Sequence, residues 1–144
     1  MRGGSYFADT NVLLYSFDAR EPVKRPMAAA WLEYLWTTGD GRMSWQVLHE
    51  FYANAVRKMG VPAVTARASV EDFSRWKPGG VNLEVVQRAW YWMDRAQLSY
   101  WDGLILASAE RQGCRWLLSE DFQHQRDYEG VVVINPFSQA PPPQ

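Results

Sequence analysis

Apolar and polar positions along the chain fall into two periods, one of strands and one of helices. Tyr6-Phe7-Ala8 is a short apolar run that stops at Asp9-Thr10-Asn11, which predicts a buried strand turning into a helix over Val12–Phe17. Pro22 is placed to open a second helix, with Met27, Trp31, Leu32 and Leu35 at helical spacing and Gly39 at its stop. Arg42-Met43-Ser44 reads as a short strand. Ser44 then caps a helix that reaches Met59 and ends at Gly60, with Leu48, Phe51, Tyr52, Ala55 and Met59 as its apolar stripe.

Pro62 opens a further helix to about Trp76, stopped by Lys77-Pro78-Gly79-Gly80. Leu83–Gln97 is helical, with Val86, Trp90 and Met93 on its inward face. Ser99 caps another helix, from Tyr100 or Trp101 to Gln112, closed by Gly113. Arg115–Ser119 and Val131–Ile134 are strand-like. Strands separated by helices need crossover connections. The expected architecture is therefore one α/β domain over residues 1–138, a central mostly parallel sheet flanked by helices on both sides. The Pro-rich stretch 139–144 is expected to be a disordered tail. Ligand sites in such sheets lie beyond the carboxyl ends of the strands, which puts Asp9 and Asp121 at the same edge.

Composition changes this picture in three ways. The net charge of −1, from 15 Lys+Arg against 16 Asp+Glu, is not the strongly basic balance of bulk-charge nucleic-acid binders; it argues neither for nor against a nucleic-acid substrate, whose attraction would have to be local. Cys114 is the single cysteine, which rules out an intrachain disulfide and a thiolate metal cluster. No apolar run suits a signal peptide or a membrane span, so a cytoplasmic protein with no membrane contact is expected. Eight Trp, seven Tyr and six Phe exceed what one small core accommodates. Trp31 and Trp90 fit core stripes, whereas Trp36, Tyr91 or Trp92 are candidates for a partner-facing surface.

Four acids sit in apolar company, where an unpaired charge is costly to bury. Asp9 follows the first strand and equally suits the N-cap of the next helix. Glu50 flanks the stripe of its helix beside Val47 and Phe51, with no Lys or Arg four residues away. Asp102 falls in line with Ile105, Leu106 and Ala109, although Ser99-x-x-Asp102 also has the spacing of a capping box. Asp121 follows Leu117-Leu118-Ser119-Glu120, and Glu120 competes with it. Each acid alone has an ordinary structural role open to it. Together they gather at one sheet edge, where like charges repel unless cations neutralise them. Oxygen-only ligands suit Mg²⁺ or Mn²⁺ rather than Zn²⁺, and such ions promote in-line phosphodiester hydrolysis. A phosphatase of the haloacid-dehalogenase type would need a second carboxylate at position 11, and Asn11 does not supply one. His49, His124, Arg57-Lys58 and Cys114 all have ordinary surface, loop or packing roles open to them.

Five segments carry a family resemblance. Phe7-Ala8-Asp9-Thr10-Asn11-Val12-Leu13-Leu14-Tyr15 resembles the opening of a PIN domain. Ser44–Phe51, Leu98–Ile105 and Leu117–Phe122 resemble the segments that carry the second, third and fourth acids, and Val133-Ile134-Asn135-Pro136-Phe137 is similar to the closing strand and turn. Within that family a chain of this size most resembles the VapC toxins of bacterial type II toxin–antitoxin pairs. The resemblance implies a metal-dependent endoribonuclease acting on structured RNA such as tRNA or rRNA, a homodimer, and inhibition by a VapB-type antitoxin. It also assigns Asp9, Glu50, Asp102 and Asp121 as catalytic metal-site residues, with Thr10, Asn11, Ser44 and Ser119 as supporting polar groups. A PIN nuclease of RNA processing without an antitoxin, and a non-enzymatic binding module, are the alternatives. Two departures stand out. Gly103 replaces an Ala common after the third acid, and Gln125-Arg126 stand where many relatives continue with Gly.

Overall fold

The computed structural model describes residues 4–143. Met1 to Gly3, and Gln144 of the Pro-rich end, lie outside the described residues. In chain order the elements are β1 (Ser5–Ala8), α1 (Thr10–Phe17), α2 (Lys24–Thr38), β2 (Gly41–Arg42), α3 (Trp45–Arg57) and α4 (Ala63–Phe73). A 3₁₀ turn over Ser74–Trp76 follows, then α5 (Leu83–Ala96), α6 (Tyr100–Arg111), β3 (Cys114–Leu118), β4 (Asp127–Tyr128) and β5 (Val131–Ile134).

The sheet order is β2-β1-β3-β5-β4, with only the β4–β5 pair antiparallel. Successive strand side chains point to opposite faces. Tyr6, Phe7 and Ala8 are all buried, as are Leu117 with Leu118 and Val133 with Ile134. Both faces are therefore covered, the condition under which parallel sheets form. The Tyr6 ring packs on Trp31 and Tyr34 of α2 at 5.6 and 5.9 Å between centroids. Trp31 is fully buried and directs its indole N–H to the carbonyls of Pro136 and Gln139, at 3.2 and 2.9 Å. Ordered contacts thus extend to residue 139.

Several local expectations are corrected. Helix α2 begins at Lys24 rather than at Pro22. The chain first turns through Asp18–Glu21, where Asp18 accepts from the Arg20 amide, and Pro26 falls in the first helical turn, where its missing N–H costs nothing. The second strand is Gly41–Arg42, one step earlier than expected, with Ser44 making only an isolated bridge to Gly79. Strand β4 has no counterpart in the sequence pattern. On α5 the inward stripe is Val85, Ala89 and Trp92, and Trp90 is 51% exposed. The reason is α6: Trp92 satisfies its buried N–H on Glu110 Oε1 at 2.8 Å, and Ala89 lets the two helices close together. A Cβ added to Gly103 would stand 2.9 Å from the Ala89 carbonyl oxygen. Gly103 is the residue that permits this approach.

Among the described residues, no helix is long and apolar enough to cross a membrane.

Candidate active site

Three parallel strands end level with one another. The Asp9 amide donates to the Leu118 carbonyl at 3.0 Å, and the Ser119 amide to the Ile134 carbonyl at 3.1 Å. This register brings residue 9 and residue 119 side by side at the carboxyl edge of the sheet. Asp9 is also the N-cap of α1.

The Asp9 side chain is 4% exposed. Its Oδ1 accepts from the Thr10 amide and its Oδ2 from the Ser119 hydroxyl, both at 2.7 Å. Ser119 Oγ in turn accepts from the Asp121 amide at 3.1 Å. The Asn11 amide nitrogen donates to Asp121 Oδ2 at 3.2 Å, and the Thr10 hydroxyl donates to Glu50 Oε1 at 2.9 Å. Asp102 lies in the first turn of α6, half-buried, with its amide capped by Ser99 Oγ at 3.1 Å. Thr10, Asn11 and Ser119 thus form the hydrogen-bonded frame around three of the acids. Ser44 stands apart, its hydroxyl buried with no partner.

Electrostatics tie the fourth acid to the others. Burial pushes the Asp9 carboxyl up from 3.8 to about 7, against the lowering effect of its bonds from Ser119 and Thr10, with the charges of Asp121 and Asp102 adding to the rise. The Asp102 carboxyl is raised chiefly by burial, then by the Asp121 charge; the Ser99 bond lowers it and Glu50 adds a further rise. Four carboxylates from four segments therefore feel one another. Among the described residues, no three His, Cys, Asp or Glu side chains close tightly enough to hold a metal ion unaided.

Glu120 and Asp121 take different partners, and that of Glu120 is far away in sequence. Glu120 turns to Lys24 Nζ at 2.5 Å, leaving Asp121 to face the acids. His124 is fixed to the backbone, its Nδ1 accepting from the Asn135 amide at 2.9 Å. Cys114 is a buried thiol pushed up to about 12 by desolvation, far from the thiolate form at neutral pH. Sequence reasoning missed the Lys24–Glu120 pair and the exposure of Trp45 and Trp101. The second had a signal, since Trp101 is off the Asp102, Ile105, Leu106, Ala109 stripe.

With this geometry in place, the comparisons with known proteins agree on the class. The sequence model of the PIN domain matches residues 6–129, and the chain belongs to the PIN domain family. Its fold is shared with a toxin–antitoxin complex from Klebsiella pneumoniae (19% identity, 92% of this chain and 98% of that one, TM-score 0.67). It is shared also with VapC20 of Mycobacterium tuberculosis, described as a sarcin-ricin loop cleaving toxin (23% identity, 81% and 92%, TM-score 0.61). A third similar structure is VapBC2 from Rickettsia felis bound to a promoter DNA fragment (13% identity, 89% and 96%, TM-score 0.60). No curated protein sequence matches the chain.

Proposed function

We propose that this protein is a divalent-metal-dependent endoribonuclease acting as the toxin of a VapBC-type toxin–antitoxin pair. The observation that carries the reading is the Asp9 carboxyl, buried at the ends of parallel strands, opposed by two further carboxylates and raised to about 7. A charge kept there against its own desolvation calls for a cation. The donor set fits Mg²⁺ or Mn²⁺, being all oxygen with no thiolate. Asn11 Oδ1, buried with no partner, is one more oxygen in the same place. The open spacing of the acids also fits an ion that keeps several waters and takes only one or two carboxylates.

Asp9 and Asp121, with Asp102 and Glu50, would hold such an ion. Bound there, it supplies Lewis-acid stabilisation of the phosphodiester under attack. The chain's own part is orientation. Ser119 fixes Asp9 and the Asp121 backbone together, Asn11 aims Asp121, and Thr10 aims Glu50. Such outer hydrogen bonds set how well a carboxylate can serve a metal.

Structured RNA of the tRNA or rRNA class is the proposed substrate, supported by the shared fold of a sarcin-ricin loop cleaving toxin. A VapB-type antitoxin is the proposed partner, supported by the toxin–antitoxin assemblies among the similar structures. A homodimeric, cytoplasmic protein completes the reading. The test is to sequence RNA ends after brief expression, beside an Asp9→Asn control. Discrete new ends that vanish in the control are expected. Identical end profiles in the two would sink the proposal.

A further inference from the structure

The acid cluster borders a feature that carboxylate chemistry does not use. Trp45 opens α3 and Trp101 lies in the first turn of α6, and they are 38% and 61% exposed. Both line one cavity of about 550 Å³, and Glu50 lines it too. The two helices that supply these indoles are the two that supply Glu50 and Asp102. The wall is aromatic on both sides. The His49 ring stands 6.0 Å from that of Trp45, and Tyr100 meets Trp101 edge-on at 5.3 Å. Gln46 belongs to the same wall and is 8% exposed. Its amide nitrogen reaches the Trp101 carbonyl at 3.4 Å, while its Oε1 has no partner.

We propose that this groove is a nucleobase subsite, in which an unpaired RNA base leaves its stack and lies against the Trp45 and Trp101 faces. The proposal rests on the nuclease reading above. Single-stranded RNA is commonly held by stacking bases on aromatic side chains, because every base offers a π-face. Here stacking has to carry much of the affinity. The chain is net negative, and the carboxylates repel the phosphates they must act on. A neutral base can enter beside Glu50, whereas a phosphate or an acidic peptide would meet its charge. Continuity through Glu50 then places the phosphodiester next to the seated base within reach of the acids. On the other side of the cluster, a cleft of about 390 Å³ lined by Asn11, Asp121 and Lys58 offers the strand a way out along a cation.

Affinities are measured in the Asp9→Asn background, using a short mixed-sequence single-stranded oligoribonucleotide and an abasic strand of the same length. Trp101→Ala and Trp45→Ala are each expected to weaken binding of the base-bearing strand about tenfold and to leave the abasic strand unchanged. Trp101→Phe should recover most of the loss. In the Asp9 protein the same changes should act on KM more than on kcat. Both indoles are exposed, so unchanged melting temperatures verify folding. Equal affinity for both strands in all variants overturns the proposal. So does unchanged RNA affinity combined with lost binding to the product of a neighbouring antitoxin gene, which would give the groove to a protein. The two readings fail separately. RNA cleavage with indifferent Trp variants removes the groove alone, and base-selective binding without any metal-stimulated cleavage removes the nuclease alone.

Discussion

The four acids reach one place by two routes. Asp9 and Asp121 are set by strands, because the register of β1 against β3 fixes residues 9 and 119, and Ser119 bonds to both acids' segments. Glu50 and Asp102 are set by helices, so their positions depend on how α3 and α6 pack. The strand-borne pair is locked by hydroxyl and amide donors at 2.7–3.2 Å. Of the helix-borne pair, Glu50 takes a bond from the Thr10 hydroxyl and Asp102 relies on its own capped turn. The lesson is that the strand-borne acids should respond to loss of single hydrogen bonds, and the helix-borne acids to packing.

Asp9→Asn should break the comparison most. It should cost about 100- to 1,000-fold in cleavage rate, the scale on which one preorganised electrostatic group acts. It should also stabilise the metal-free protein at neutral pH. The folded carboxyl titrates near 7 and the unfolded one at 3.8, so the native state keeps a proton that the unfolded state releases. Stability of the parent in chelator should therefore be full below about pH 4 and fall as pH rises to about 7. At 1.36 kcal/mol per pH unit the loss is about 4 kcal/mol at most. Denaturant melts across pH check this: the slope should be smaller in Asp9→Asn, with the raised Asp102 carboxyl still contributing in the same direction.

Ser119→Ala should come next, lowering activity about 10- to 100-fold with an intact fold, because Asp9 loses a donor and the Asp121 segment an acceptor. Thr10→Val, which touches only Glu50's bond, should cost less than Ser119→Ala. Reversal of that order in steady-state kinetics would mean that Glu50 depends on its hydrogen bond as strongly as the strand-borne acids do. Gly103→Ala tests the helix route. Its Cβ would press on the Ala89 carbonyl, so about 1–3 kcal/mol of stability should be lost, together with activity through a displaced Asp102. The smallest effect is expected at Gln125, which adopts a left-handed φ of 69°. Gln125→Gly should raise stability by about 1 kcal/mol in chemical denaturation with no change in cleavage.

Much of this was legible in sequence, and what was not has identifiable causes. The run into Asp9, the capped start at Ser99 and the strands over 115–118 and 131–134 follow from periodicity and capping. Strand β4 carries no period because it is two residues long and exists through its pairing with Val131 and Val132. The inward face of α5 is obscured in the sequence because Ala89 gives a weak apolar signal, while Trp90 gives a strong one on the adjoining face. Its importance lies in being small opposite Gly103. At the site, the acids were readable as a set. The separation of Glu120 from Asp121 was not, because it depends on Lys24, brought near only by the fold. The departure at Gln125 also becomes intelligible: the backbone there has the conformation Gly favours, and Gln occupies it nonetheless.

The hydrogen bond between Asp9 and Ser119 spans 110 residues of sequence. During synthesis at about 5–20 residues per second, Asp9 therefore waits several seconds for the strand that will position it. A chain interrupted before residue 119 already contains Asp9, Glu50 and Asp102. It lacks the hydroxyl that holds the first, because β3 ends at Leu118, one residue short of it. Under the proposed function, translation itself acts as a safety catch, since the catalytic geometry arises only after ribosomes have passed the codon for Ser119.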